Sequence, residues 1–403
     1  MAEPRRRVPD RKGQLVALAA ELFGRHGYHE VGVQEIAAAA GLTGPAVYRH
    51  FPSKQAILAH ALLAGVDAFA AAADQAFGTA GAPAERLRAL HVRLAELSVE
   101  HRETLALWRW QGRHLEPRDQ AAVVQRAGAV MERWTAELRA ARPELAGGDA
   151  ALLCWAAMSV FGSVSVHHVR LPRGRTTRLL AGIADTVLAT PELPVGDLPV
   201  APAVPAGEPT RREAVLAGAT SLFRERGYHA VSMEDIGAAV GIAGPSVYRH
   251  FASKQELLAA ACRRMADRLA AEAEAALAAA TGPADALHKL VRSYATTALA
   301  HRDLLAVYAA DAGSLAAPDR AELIGLQRGY VAGWVAALRA VHPGLAEPPA
   351  RIAVSAGLTI VNDLVRTHRL LARPYLAAEL VVLVDRALSG SAPPRSALSG
   401  SGP

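Results

Sequence analysis

Tyr48, Arg49, His50 and Lys54 set a phenol, a guanidinium, an imidazole and an ammonium within about two helical turns, and Tyr248, Arg249, His250 and Lys254 repeat the set in the same order. Such groups offer directed donors and positive charge to phosphate oxygens, contacts that fix register on a nucleic-acid backbone without reading its sequence. Each set lies at the end of a segment that begins with glycine and proline, GPAVYRHF at 44–51 and GPSVYRHF at 244–251, three residues after Gly41 or Gly241. A helix, a glycine turn and a second short helix make the bend with which helix-turn-helix proteins lay a recognition helix in the major groove. Pro45 and Pro245 fit that helix because they fall in its first turn, where a missing N–H has no partner to lose. The hydroxyl of Thr43 can cap it and the methyl of Ala243 cannot, a difference of roughly 1 kcal/mol. Val47, Phe51, Val247 and Phe251 read as core. Tyr48 and Tyr248 can alternatively pack that core through their rings.

No other grouping of side chains suggests chemistry. The chain has no Walker loop, no G-x-S-x-G, no H-E-x-x-H and no spaced metal ligands, so it is expected not to be an enzyme and to need no cofactor or metal. His167 and His168 are adjacent rather than one helical turn apart and read as polar surface at an interface rather than a metal site. The two cysteines, Cys154 and Cys262, sit in apolar stretches, which excludes a disulfide scaffold and makes a reducing cytoplasm the expected compartment. A net charge of +6 permits a polyanionic partner without requiring one. Arg5, Arg6, Arg7, Arg11 and Lys12 form a basic arm for which a solvated tail and a DNA contact are equally open. No apolar run follows that arm, and the uncharged stretch 150–166 is diluted by Trp155, Ser159 and Gly162; it reads as a buried interface helix rather than a membrane span.

The elements that carry these residues occur twice. Residues 22–58 return at 222–258 with about 21 of 37 positions identical, and the same offset of 200 relates Trp134 to Trp334, Pro143 to Pro343, His168 to His368 and Asp185 to Asp385. The whole unit is therefore duplicated. Between the copies, residues 191–209 hold six prolines and read as an extended linker, long enough at roughly 3.1 Å per residue to cross a small domain. The arrangement expected is a first DNA-binding head at 1–58 and body at 59–190, the linker at 191–209, a second head at 210–258 and body at 259–389, and a disordered tail at 390–403.

With 51% hydrophobic and only 5% aromatic residues, the composition favours helices over strands, and the fold class expected is all-α. Leu15, Leu18, Ala19, Leu22 and Phe23 recur at helical spacing, mirrored by Val215, Ala219, Leu222 and Phe223. Gly27 and Gly227 stop these helices. Ser232 with Asp235 looks like a capping box on the second helix, and Gly32 with Glu35 like a weaker version.

The combined pattern, LF…GY…V…IA…AG…G…VYRHF.SK, resembles the amino-terminal DNA-binding domain of TetR-family transcriptional regulators over about 50 residues in each copy. The resemblance implies a three-helix head followed by a helical body that binds a small molecule and dimerises through its last two helices. It also implies that Tyr48, His50 and Lys54, with Tyr248, His250 and Lys254, grip phosphates of double-stranded DNA. Thr43, Gly44, Pro45 and Ala46, and in the second head Gly244, Pro245 and Ser246, match positions that meet base edges, Pro45 and Ala46 through apolar contact to a thymine methyl. Gly44 departs from the polar residue often found there, which leaves Gln34 as the candidate for adenine. Its counterpart Glu234 repels phosphate unless it accepts from a cytosine amine.

In the bodies, 150–169 with 176–188 and 351–370 with 376–388 match the dimerising pair, so each apolar face finds its partner within the chain and an intrachain pseudo-dimer is expected; further association between chains stays open. Trp108, Arg109, Trp110, Arg113, Met131, Trp134, Trp155 and Met158 are the candidate effector site, suited to a molecule with an apolar part, with His114 beside the arginines for an anionic group. The function expected is a sequence-specific DNA-binding transcriptional regulator, a repressor released by a small-molecule effector, that binds a quasi-palindromic operator as this pseudo-dimer. The alternatives are an architectural DNA-binding protein without effector and an all-helical enzyme.

Overall fold

The computed structural model describes residues 11–110, 112–196, 198 and 210–390; the side chains of Thr104, Trp108, Trp110 and Arg113 lie outside the described residues. So do Arg5, Arg6 and Arg7 of the basic arm, most of the second half of the linker, and the tail beyond 390. Among the described residues every regular element is a helix. The first copy contains α1 (Arg11–His26), α2 (Val33–Ala39), α3 (Gly44–Tyr48), α4 (Lys54–Phe77), α5 (Pro83–Glu100), α6 (Arg102–Trp110), α7 (Pro117–Ala141), α8 (Gly147–Gly162) and α9 (Arg173–Leu188). The second repeats the order as α10 (Arg211–Arg226), α11 (Met233–Ala239), α12 (Gly244–Val247), α13 (Lys254–Ala278), α14 (Pro283–Ala300), α15 (Arg302–Ala310), α16 (Ala317–Val341), α17 (Glu347–Leu364) and α18 (Leu376–Ser389).

Packing divides the chain differently from the repeat. One compact unit holds residues 11–75 and 101–130, the other 76–100 and 131–390. In the first unit Leu15, Ala19 and Phe23 of α1, Ile36 of α2, Val47 and Phe51 around α3, and Ile57, Leu58 and Leu62 of α4 form one core. Leu107 of α6, Leu115 and Val123 of α7 complete it. A three-helix head of some 50 residues has too little interior to bury its own apolar surface, so the cluster continues into the helices that follow it in sequence. Helices α1 and α6 pack closely at Gly24, where a Cβ would lie 2.8 Å from the carbonyl oxygen of Glu103.

The second unit repeats the head core with Val215, Phe223, Ile236, Val247, Phe251 and Leu257, again completed by body residues Val307, Leu315 and Leu323. Both ends of its early helices are well satisfied. Ser232 and Asp235 form the expected capping box on α11, and Thr210 and Glu213 form a second one on α10 that the sequence pattern alone did not single out. Gly32, lacking a side chain, makes no cap bond; its carbonyl accepts from the Glu35 and Ile36 amides instead.

The rest of the second unit is built around α8, α9, α17 and α18. Helix α8 packs against α9 and α17, and α18 against α9 and α17, so the last two helices of each copy meet within one chain. Leu152, Leu153, Val160 and Phe161 of α8, Ile183 and Val187 of α9, Ile352, Ile360 and Val361 of α17, and Leu380 and Leu383 of α18 are essentially inaccessible. Small residues allow the close approach: a Cβ at Gly357 would lie 3.0 Å from Val384 Cγ1. Helix α4 and the stretch Gly147–Val166 are each long and apolar enough to cross a membrane, and two thirds of the latter's most apolar window is buried inside the protein.

The cysteines are free and buried, Cys154 on α8 and Cys262 on α13. Burial pushes each thiol up to about 12, against a small downward pull on Cys154 from its hydrogen bond with Thr135. Neither is expected to react with iodoacetamide at pH 8 in the folded protein, and both are expected to do so in denaturant; mass spectrometry of the alkylated chain measures it.

Candidate nucleic-acid interface

The second and third helices of each head are joined by a turn that only glycine takes easily. Gly41 has φ +65° and Gly241 φ +68°, and the amides of Leu42 and Ile242 close back onto the carbonyls of Ala37 and Gly237 at 2.8 and 2.9 Å. Beyond the turn, α3 is five residues long and α12 four, so Arg49, His50 and Phe51 lie just past the helix rather than within it. Proline stands in the first turn of each, as the sequence requires.

The capping difference expected between the heads is absent. Thr43 has the extended backbone of an N-cap, φ −96° and ψ 155°, yet its hydroxyl makes no cap bond. The reason lies in the sequence of the first turn. Of the two amides a capping side chain reaches, Pro45 has none, and that of Ala46 already donates to the Thr43 carbonyl at 2.9 Å. Ala243 serves equally well, its carbonyl accepting from Ser246 at 2.8 Å.

One face of this bend is core and the other is open. Val47 and Phe51, with Val247 and Phe251, are at most 1% exposed. Tyr48 is 54% exposed and Tyr248 51%, so neither ring belongs to the core. Arg49 and His50, Thr43, Pro45 and Gln34 are exposed and Ala46 half-buried; in the second head Arg249, Pro245 and Glu234 are exposed and His250 and Ser246 half-buried. Gly44 is buried because Gln34 lies on it: a Cβ there would come within 2.6 Å of the Gln34 amide nitrogen. Gly244 carries Glu234 in the same way, with Cα and Cγ each 3.2 Å from the place of a Cβ. Glycine at this position is thus what lets the residue on the preceding helix reach the start of the recognition helix.

Lys54 has a further task inside the head. Its Nζ donates to the carbonyls of Tyr28 (2.8 Å) and Val31 (2.9 Å) and sits 4.3 Å above the Tyr28 ring. Lys254 repeats this with Tyr228 (2.9 Å), Val231 (2.8 Å) and a ring distance of 4.5 Å. Each lysine ties the turn between the first two helices to the start of the fourth. Burial pulls both ammonium groups below the usual lysine range, with Glu30 raising that of Lys54 in part. Tyr28 is buried, and that burial raises its phenol. His114 stacks on Tyr28 at 5.3 Å and lies 3.3 Å from His29, so it faces the head turn.

The candidate effector residues are divided between the two compact units. Arg109, half-buried, belongs to the first unit; Met131, Trp134, Trp155 and Met158 belong to the second. The side chains of Trp108, Trp110 and Arg113 lie outside the described residues. Trp134 is fully buried against His91 (5.6 Å) and Phe161 (6.4 Å), and Met131 is buried too, whereas Trp155 and Met158 are half-buried on α8. No local pattern announces the polar pair next to Trp134: His91, 2% exposed, holds Asp185 at 2.5 Å through Nδ1. No group of three or more potential metal-ligating side chains occurs among the described residues.

Two bends of this geometry, each with an exposed Tyr-Arg-His run and a glycine-seated residue from the helix before it, define a helix-turn-helix protein with two heads. The family described as bacterial regulatory proteins, tetR family, matches residues 15–61 and again 215–261. Each copy of the repeat thus carries one segment that matches this family. It is similar to the HTH-type transcriptional activator FasR of Mycolicibacterium smegmatis, 40% identical over 80 residues, which covers 20% of this chain and 36% of that protein. It is similar also to the HTH-type transcriptional repressor KstR2 of the same species, 33% identical over 88 residues, 22% of this chain and 43% of that protein. The chain thus spans less than half the length of these relatives. Among solved structures, a TetR-family transcriptional regulator from Bordetella parapertussis aligns over 48% of this chain and 100% of its own, with TM-score 0.42 and 20% identity.

Proposed function

We propose that this protein is a sequence-specific, cytoplasmic DNA-binding regulator of transcription that engages a quasi-palindromic operator with both heads of one chain, as an intrachain pseudo-dimer. The observation that carries the reading is the doubled recognition face, exposed in both heads at Tyr48, Arg49 and His50 and at Tyr248, Arg249 and His250. The packing of α8 and α9 on α17 and α18 supports closure within one chain. Tyr48, His50, Tyr248 and His250 position the backbone, and Gln34, Pro45 and Ala46, with Glu234, Pro245 and Ser246, meet the bases. Repression relieved by a small molecule is the mode proposed, with Trp155 and Met158 the accessible part of the effector site; relatives named both activator and repressor occur among the matches.

Selection of binding sites from random duplexes, with the mass of the bound particle, tests this. One chain of 42.3 kDa on an imperfect palindrome is expected; two chains per site overturn it. In the same titrations Tyr48→Phe is expected to weaken all sites alike without changing the salt slope, and Arg49→Ala to lower that slope by about 1. Glu234→Gln is expected to raise affinity and make the two half-sites more alike, because the carboxylate tolerates only a cytosine amine nearby.

The close packing around Trp134 and Trp334, both at most 1% exposed, favours a second reading, an architectural DNA-binding protein without effector. Operator affinity that no small-molecule library member alters would select it.

A further inference from the structure

The two copies meet through positions at which they differ, and the differences point one way. Helix α8 packs on its own counterpart α17 and α9 on its counterpart α18, the pattern of an approximate two-fold relation. Arg386 of α18 donates through Nε to the Thr186 carbonyl at 3.3 Å and through Nη2 to the Ala189 carbonyl at 3.4 Å. At the repeat offset Thr186 is the counterpart of Arg386 itself, so this position lies beside its own equivalent. Four residues on, Gly390 rests on the same stretch of α9. A Cβ there would lie 2.8 Å from Thr186 Oγ1 and 3.2 Å from Ile183 Cα, and its counterpart in the first copy is Thr190.

A second asymmetric contact involves the start of α8. Arg373, just before α18, reaches Asp149 at 2.5 Å while holding Glu379 at 2.7 Å. Gly148 runs so close to the guanidinium that a Cβ would lie 3.2 Å from Nη1. The counterparts of Gly148 and Asp149 are Pro348 and Pro349, which offer no carboxylate, and that of Glu379 is Leu179. Arg173, the counterpart of Arg373, pairs with Glu100 within its own copy at 2.8 Å.

We infer that the interface is heterotypic: the surface of each body takes the other body as partner and rejects a second copy of itself. The inference rests on the reading of these four helices as the dimerising element. Two second bodies would set Arg386 beside another Arg386 and put Arg373 over a pair of prolines. Two first bodies would force Thr190, branched at Cβ, into the place that Gly390 fills, and would remove the Arg386 donors from the Thr186 and Ala189 carbonyls. Neither like pairing keeps the contacts made by the unlike one. Duplication has thus turned a self-complementary surface into two complementary ones, which is also what allows the two heads to diverge at Gln34 and Glu234 without scrambling.

The test uses the full chain with a protease site placed in 199–209, nicked after folding. Isotopically light and heavy nicked samples are mixed, diluted and followed by native mass spectrometry. Light first halves are expected to exchange onto heavy second halves, with unlike pairs outnumbering either like pair by roughly tenfold or more. Like pairs in statistical proportion overturn the inference. Thr190→Gly is expected to raise like pairs of first halves, and Arg386→Thr like pairs of second halves; unchanged distributions in both variants overturn the assignment of these residues. The mass of the uncut chain reports separately on closure within one chain. A single-chain particle whose nicked halves pair indiscriminately removes the heterotypic interface alone, and a two-chain particle whose halves still pair unlike removes the intrachain closure alone.

Discussion

Arg373→Met is expected to destabilise the second unit by about 3–5 kcal/mol, because it leaves a buried carboxylate without its cation. Glu379 is 3% exposed and receives both arms of the guanidinium, Nε and Nη2, at 2.7 Å each. Such a two-point, charge-assisted pair tolerates loss of neither member, since the remaining charge has no water to replace the lost partner. Removing both charges is a smaller disturbance. Arg373→Met combined with Glu379→Leu is expected to recover most of the loss, because an apolar pair of similar volume carries no desolvation penalty. Urea titration of the four proteins of this cycle, followed by helical circular dichroism, gives the coupling directly. A single variant as stable as the parent would show that the pair is solvated and contributes little.

Lys54→Met is expected to cost the first head about 2–3 kcal/mol and to weaken DNA binding through loss of head order rather than loss of a phosphate contact. The ammonium bridges the carbonyls of Tyr28 and Val31 from the start of α4, and methionine keeps the stem while leaving both carbonyls short of a donor. The resemblance alone assigns Lys54 to phosphate, which predicts a salt slope lower by about 1 with stability intact. The two roles separate cleanly in one experiment: hydrogen exchange of α1 and α4 amides reports the head, and titration against salt reports the counterions. Faster exchange with an unchanged slope supports the internal clamp, and the opposite pair of results returns Lys54 to the DNA backbone. Lys254→Met should behave likewise in the second head, where the same carbonyls are held.

Much of the recognition face was legible because its determinants are local. Gly41 and Gly241 announce a left-handed turn, the prolines after them mark a helix start, and Val47 and Phe51 alternate with Tyr48 and His50 at a spacing that puts two residues inward and two outward. What local pattern gets wrong here is equally physical. Thr43 is a good capping residue by type, but the proline two positions on removes one amide and the backbone takes the other. The short recognition helices stop at Tyr48 and Val247, and Phe51 and Phe251, whose amides still donate to the Val47 and Val247 carbonyls at 3.0 and 3.1 Å, turn into the core.

The sequence by itself determined the repeat, the all-helical class, the two helix-turn-helix bends and the outward side chains of each, all of which follow from periodicity, glycine and proline within a few residues of one another. Only the tertiary structure decided that each head core is finished by Leu107 and Leu115, or Val307 and Leu315, that Lys54 and Lys254 turn inward, and that Trp134 is packed in a closed interior. It alone joined Arg386 to Thr186 on α9 and Arg373 to Asp149, 200 and 224 residues apart in the chain. Spacing along a helix fixes which way a side chain points, but which surface it meets depends on how distant helices pack, and no local pattern carries that information.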